Sequence, residues 1–427
     1  MKILIKNGLV IDPANQVKET LDILIEKGKI SKVGKNIKAG ADKIINASGK
    51  IVIPGLVDMH THLRQPGRED KETIATATAA ALKGGVTSLL AMPNTHPAID
   101  NIQAIELLKS LIKQNALADV LICGAITRGR LGKEIGDIPV LKKAGALAIS
   151  DDGASVDDEK LFGQALKIAK AQNLLTICHC EDKSLSNHGV VNLGIISTKL
   201  GLKGISNESE YKRVERDLRL AEKTGAAVHI AHVSCKETVE IIRQAKKRGI
   251  AVTCETAPHY FMFNHDCLAD YDTNKKMNPP LRSPQDQQAI RQGLKDGTID
   301  AIASDHAPHT ENEKDIEFDR AEFGVVGLET ELAAGITGLV ENKVLGLTEL
   351  VEKLSLNPAR ILGIPKGTLS PGAAADLAIV DPSEEWVVRK DGLVSKSKNS
   401  GFLGQRLKGV VKYTLYNGKI AFPAQIN

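Results

Sequence analysis

Asp58-Met-His60-Thr-His62-Leu-Arg64 follows directly on the apolar run from Ile51 to Val57. On an extended chain side chains alternate with period 2, so His60 and His62 project from one face. Their imidazoles can converge on one metal ion, the arrangement a hydrolytic zinc site requires. Arg64, two positions further on, puts a planar cation suited to bidentate capture of a carboxylate beside that metal. A metal to activate water and an arginine to hold an anion imply hydrolysis of a small acidic substrate. Paired histidines on a strand can also be plain polar residues near a surface, so the reading turns on what the rest of the chain sets beside them.

Outward from this stretch, short apolar runs alternate with amphipathic segments. The expected strands are Leu56–His60, Val86–Met92, Val120–Ile126, Ala146–Ser150, Leu174–His179, Ala227–His232, Ala251–Glu255 and Ile299–Ser304. The expected helices are Lys71–Lys83, Ile102–Gln114, Glu159–Gln172, Glu210–Thr224, Lys236–Arg248 and Pro284–Asp296. Gly84, Gly145, Gly225, Gly249 and Gly297 stand where helices commonly stop. Eight β-then-α units in series predict an α/β fold, a parallel (β/α)8 barrel rather than an open sheet. Both chain ends read as β. Ile23–Ile30 and Leu415–Ile420 look like hairpins, the second around Asn417-Gly418, and Ala375–Asp381 looks like a strand. Neither end alone can bury a face. Residues 1–54 plus 366–427 are therefore expected to pair as one small composite β domain, with the barrel, 55–365, inserted within it.

The bulk composition agrees. A chain of 427 residues accommodates a large domain plus a smaller one. The apolar fraction of 42% and charged fraction of 25% are those of an ordinary globular protein. Aromatics make up only 3%, so Ile, Leu, Val and Ala must fill the core. The net charge of +4 is small, and no basic run interleaves with aromatics, which excludes nucleic acid as an expected partner. Met1-Lys-Ile-Leu-Ile-Lys does not read as a signal peptide, and no apolar stretch is long enough to span a bilayer. Cys123, Cys178, Cys180, Cys235, Cys254 and Cys267 are scattered in apolar or helical settings, as reduced thiols of a cytoplasmic protein would be. Cys178 and Cys180 flank His179 but read as buried core thiols, not as metal ligands.

Placed on this map, the candidate ligands gather at one end of the barrel. His60 and His62 end the first strand, Asp151-Asp152-Gly153 follows the fourth, His179 ends the fifth, His232 ends the sixth and Asp305 follows the eighth. Carboxyl strand ends are where such barrels carry their active sites. His229, on the sixth strand, reads as structural. Four histidines and two carboxylates exceed the needs of one zinc and suit a binuclear site, with Zn2+ at two per subunit. Coordination lowers the pKa of water from about 15.7 toward about 7. An aspartate between the histidine pairs would supply the two oxygens a bridge needs, though the residues alone leave Asp151 and Asp152 both open for that part. Asp305 has two roles available, metal ligand and acid/base.

Beyond these residues, Asp58-Met-His-Thr-His-Leu-Arg-Gln-Pro-Gly67, Ala91-Met-Pro-Asn-Thr95, Ser150-Asp-Asp-Gly153, Ala303-Ser-Asp-His-Ala-Pro-His309 and Phe323-Gly-Val-Val-Gly-Leu-Glu329 together resemble the dihydroorotases of the amidohydrolase superfamily. The likeness is to the bacterial subgroup that bridges its metals with an aspartate instead of a carboxylated lysine, and it covers nearly the whole chain. It implies that His60, His62 and Asp305 hold one metal, that His179 and His232 hold the second, and that Asp152 bridges them. It implies that the substrate lies along His62, Leu63 and Arg64, with Arg64, Asn94 and His309 on its carboxylate. Asn278 and the backbone of Phe323 and Gly324 would contact the pyrimidine ring. Thr61 and Gln65 depart from the valine and glutamate more usual in the first motif, and neither departure removes a functional group.

The resemblance implies ring closure of N-carbamoyl-L-aspartate to L-dihydroorotate in pyrimidine biosynthesis, with a homo-oligomeric subunit. Two other readings stand beside it. One is an allantoinase or hydantoinase, which resembles this chain in fold but typically uses a carboxylated lysine and needs no carboxylate clamp. The other is a non-catalytic scaffold for aspartate transcarbamoylase, which would have lost metal ligands that this chain keeps. An active enzyme that also assembles with the transcarbamoylase remains compatible with all of these residues.

Overall fold

The computed structural model describes residues 1–423. The chain opens with β1 (Lys2–Asp12), β2 (Val17–Glu26), β3 (Lys29–Gly34), β4 (Lys43–Asn46) and β5 (Ile51–Pro54). The β2–β3 hairpin turns at Lys27-Gly28, both in the left-handed region (φ 52° and 79°), which matches the twist of paired antiparallel strands.

The barrel follows as β6 (Leu56–Thr61), β7 (Val86–Ala91), β8 (Asp119–Gly124), β9 (Ala148–Ile149) and β10 (Leu175–Cys178). After a short excursion through β11 (Val191–Asn192) and β12 (Gly204–Ile205), it resumes as β13 (Val228–Ile230), β14 (Val252–Thr256) and β15 (Ala301–Ile302). These eight strands pair in parallel in chain order from β6 to β15, apart from the β11–β12 excursion. A parallel bridge between Thr61 and His306 brings the two edges together. The expected eight strands are all present. Several are shorter than the sequence suggests, because their last residues leave the ladder to form the mouth.

Every residue of β7 is buried, as expected for a parallel strand covered on both faces. The barrel interior holds Met59, Leu90, Met92 and Ile177 together with small Ala148, Ala231, Ala301 and Ala303. A chain poor in aromatics fills the barrel with aliphatic and small side chains.

The chain closes with β16 (Leu377–Val387), β17 (Arg406–Tyr416) and β18 (Lys419–Phe422). Both ends form one eight-stranded sheet in the order β18-β17-β16-β5-β1-β2-β3, with β4 on β1. The seam is antiparallel, with Leu377 opposite Pro54 and Val380 opposite Ile51. Residues 388–405 leave this sheet between β16 and β17 and run over the barrel. Ser397 donates to the Lys71 carbonyl, and Asn399 accepts from the His309 amide.

Among the described residues no helix is long and apolar enough to cross a membrane. All six cysteines are free, and only Cys267 is not fully buried.

Candidate active site

The strand ends deliver the six candidate ligands to one buried point. His60 Nε2 lies 3.2 Å and His62 Nε2 3.4 Å from the Asp152 carboxylate, and both approach Asp305 Oδ1, at 3.7 and 3.4 Å. From the other side His179 Nδ1 and His232 Nε2 lie 3.5 and 3.7 Å from Asp152 Oδ1. Two ligand trios share His60: one with Asp152 and His232, the other with His62 and Asp305.

The donor set fits a divalent metal. His60 Nε2 and Asp152 Oδ1 are buried without a hydrogen-bond partner, a costly state unless something else occupies those lone pairs. Burial opposes charge on His179, yet Asp152 and Glu181 raise it to about 9. Burial likewise works against His60, and Asp152 again pulls it upward. The centre therefore attracts positive charge, supplied by protons or by metal, and metal binding must displace the protons.

The outer nitrogens of three rings are held. His60 Nδ1 donates to Glu255 Oε1 (2.7 Å) and His62 Nδ1 to Asn94 Oδ1 (2.9 Å), which leaves each Nε2 lone pair facing the centre. His179 is turned the other way, with Nε2 3.4 Å from Glu181 and Nδ1 inward. Backbone strain sits at the same places: Arg64, His232 and Asp305 have φ of 60°, 36° and 48°, in the left-handed region that non-glycine residues avoid. These turns aim the side chains across the mouth instead of along the strands.

Asp151 and Asp152 part company. The Asp151 carboxylate accepts from the Ile126 and Thr127 amides at 2.8 and 3.1 Å and from the Thr127 hydroxyl, facing away from the imidazoles. His229 stays outside the ring of candidate ligands, with Nδ1 2.8 Å from the Thr253 hydroxyl and Nε2 3.4 Å from Glu255.

The other candidates border this centre. Arg64 donates through Nε to the Pro308 carbonyl (3.1 Å), and its Nη2 lies 3.3 Å from His309 Nε2. His309 donates to the Phe323 carbonyl (2.8 Å) and accepts from Lys71 (3.1 Å). Burial and the cations Arg64, Lys71 and Lys314 hold His309 far below the usual imidazole range, so it is neutral. Asn278 donates to Glu181 (3.2 Å), which links it to His179. The Leu63 side chain packs into the core, so only its backbone is free for a ligand. Thr61 turns outward to the Leu90 carbonyl, and Gln65 accepts from the Ile74 amide.

Residues 49–238 match the dihydro-orotase-like family model. The dihydroorotase of Elusimicrobium minutum is 51% identical over 98% of this chain and 97% of its own length. That of Geotalea daltonii is 50% identical over 98% of this chain and 99% of its own. The chain belongs to the dihydroorotase family. Among solved structures, the L-hydantoinase (dihydropyrimidinase) from Arthrobacter aurescens superimposes with a TM-score of 0.88 at 26% identity, over 98% of this chain and 95% of the other.

Reading the sequence for dihydroorotase-family motifs passes over four residues. Glu255 is the last residue but one of the seventh barrel strand, and the strand-end rule that located His179 would have located it. Glu181 stands two residues beyond His179, again at a strand end. Lys71 lies just past the first motif. Asn399, on the segment between β16 and β17, carries no local signal; only folding brings it to His309.

Proposed function

We propose that this chain hydrolyses L-dihydroorotate reversibly to N-carbamoyl-L-aspartate and closes the ring in the biosynthetic direction. The observation that carries the proposal is the cationic side of the centre. Arg64 and His309 stand together beyond Asp305, and Asn94 is joined to His62, so a carboxylate clamp adjoins a hydrolytic donor set. Arg64 presents the planar fork that binds a carboxylate in bidentate fashion. His62 and Leu63 line the approach, and Asn278 with the Phe323 and Gly324 backbone holds the ring.

Zinc, at two ions per chain, fits the six donors: His60, His62 and Asp305 for one, His179 and His232 for the other, with Asp152 between. When bound, the metals supply Lewis acidity toward a carbonyl oxygen and acidify water. Asp305 takes the proton released from the attacking water and passes it to the ring nitrogen as the amide bond breaks; in ring closure it takes the proton from the carbamoyl nitrogen. Glu255 and Asn94 orient His60 and His62.

The proposal extends to a cytoplasmic homo-oligomer able to assemble with aspartate transcarbamoylase, and to the division into 1–54 plus 366–427 and 55–365. Light scattering with and without the transcarbamoylase tests the assemblies. A second reading, a hydantoinase-type cyclic amide hydrolase, is favoured by the likeness in fold. One experiment separates them: turnover of L-dihydroorotate, hydantoin and allantoin by a preparation of measured metal content. Preference for dihydroorotate is expected, since the other two rings lack a carboxylate for Arg64. Faster turnover of hydantoin overturns the proposal.

A further inference from the structure

Between Asp315 and Leu328 the chain forms no helix or strand beyond an isolated bridge of Val325 to His306, so most of its carbonyls have no ladder to satisfy them. Two buried lysines take five of these carbonyls. Lys276 Nζ donates to the carbonyls of Phe318 (2.8 Å), Asp319 (3.1 Å) and Ala321. Lys314 Nζ donates to those of Glu322 (2.7 Å), Gly324 (3.1 Å) and Lys276 (3.3 Å). An ammonium group has three donors, and in each lysine all three are used on backbone. The Lys276 carbonyl also accepts from the Gly324 amide (3.0 Å), and Lys276 Nζ lies 4.5 Å from the centre of the Phe323 ring.

Burial of an unpaired ammonium is strongly unfavourable. Burial pushes Lys276 down to about 8 and Lys314 down to about 7, against the pull of nearby carboxylates such as Glu322, and the carbonyl cages supply the hydrogen bonds that either ammonium group loses on leaving water. Those cages define the path of one strap. Its inner end is packed without slack: a Cβ on Gly324 (φ 131°) would come within 2.7 Å of the Ala307 Cβ and 3.1 Å of His309 Nε2. Asn399 adds a hydrogen bond to the Gly324 carbonyl (3.1 Å). No part of the hydrolytic chemistry uses either lysine.

We propose that Lys276 and Lys314 are positioning residues for substrate recognition, their ammonium groups standing in for an absent backbone ladder and holding the Phe323-Gly324 backbone against the substrate ring. This rests on the dihydroorotase reading above. Lys276→Met and Lys314→Met keep the aliphatic stem and remove the donors. The full-length variants and wild type are compared by metal content, steady-state dihydroorotate hydrolysis and amide hydrogen exchange of peptides covering 316–327. In each variant that stretch should exchange about tenfold faster and KM should rise about tenfold, with kcat and metal content within about threefold of wild type. Unchanged exchange overturns the proposal. So does faster exchange at unchanged KM, since the strap would then be pinned for stability alone. A fall in kcat at unchanged KM overturns it as well, by placing the lysines with the hydrolytic groups. If neither variant folds, the wild-type exchange decides: 316–327 must exchange at least about tenfold slower than the exposed loop 128–134, and equal rates overturn the proposal. Exchange needs no turnover, so a wild-type protein inactive on dihydroorotate would refute the functional reading while the pinning of the strap is still measured.

Discussion

Asp151 and Asp152 are adjacent in sequence and opposite in surroundings. Two amides and a hydroxyl saturate the Asp151 carboxylate, whereas Asp152 Oδ1 lies among imidazoles with no hydrogen-bond partner. Asp152→Ala should therefore lower metal per chain and abolish turnover. Asp151→Ala should keep the metal and instead lower the thermal midpoint, because two buried amides lose their acceptor at a cost of about 1–3 kcal/mol each. Elemental analysis beside a melting curve checks both, and the opposite ranking would exchange their roles. Asp305 calls for a different substitution. Asparagine is nearly isosteric and keeps an oxygen for a metal but cannot accept a proton. Asp305→Asn should reduce hydrolysis and ring closure together, by about a hundredfold or more, with most metal retained. Near wild-type turnover would reduce Asp305 to a ligand and require another proton acceptor, which His309 cannot be, since both its ring nitrogens are engaged and its basicity is suppressed.

The helix Ile74–Gly84 shows what an element is used for beyond its own stability. The hydrophobic pattern suggests a start at Lys71, yet the helix begins at Ile74. Thr73 caps it, exchanging hydrogen bonds with Thr76. Lys71 and Glu72 are thereby left outside the helix, where Lys71 reaches His309 and Glu72 accepts from Ser395 and the Lys396 amide. The far end differs in a similar way. Gly85, not Gly84, takes the left-handed conformation, and Gly84 is needed for close approach: a Cβ there would lie 1.9 Å from the Leu328 carbonyl oxygen. The next residue, Glu329, caps the Val394 and Ser395 amides, so a push at Gly84 is passed to the segment over the mouth. Gly84→Ala should cost about 1–3 kcal/mol in urea unfolding and raise KM. Unchanged stability would mean that Leu328 yields freely.

For the whole molecule, one face of the sheet packs into the main core around the barrel, while its other face has a cluster of its own built on Ile3, Ile5, Ile23 and Leu377. Ile11, Ile51 and Ile53 of the first strands and Val380 and Leu407 of the last pack in the same cluster as Ile74, Ala77 and Ala81 of the first barrel helix. The Thr414 hydroxyl on β17 donates to the Leu82 carbonyl of that helix. Removing residues 388–427 would strip β17 from β16, uncover this face and delete Asn399. The truncated chain should fail to give a soluble, metal-binding barrel, as judged by recovery, circular dichroism and metal content. A truncated chain with wild-type melting would show that the barrel is self-sufficient.

The barrel, the hairpins at the ends and all six candidate ligands were legible in the sequence because each is encoded locally. Strand and helix periodicities declare which face is buried, and a strand's carboxyl end declares which residues reach the mouth. Strand lengths were less legible, since Asp305 and His232 leave the ladder through left-handed turns that no propensity favours. Spacing cannot encode partners far apart in sequence. The Glu255 carboxylate that orients His60 is 195 residues away, and Asn399 is 90 residues from His309. Lys276 and Lys314 look like ordinary surface lysines, and only an irregular strap with unsatisfied carbonyls makes their burial favourable. Local pattern thus determined the fold and the placing of the candidate ligands, whereas tertiary packing decided which buried polar groups would meet, because their satisfaction depends on surfaces that exist only once the chain has closed on itself.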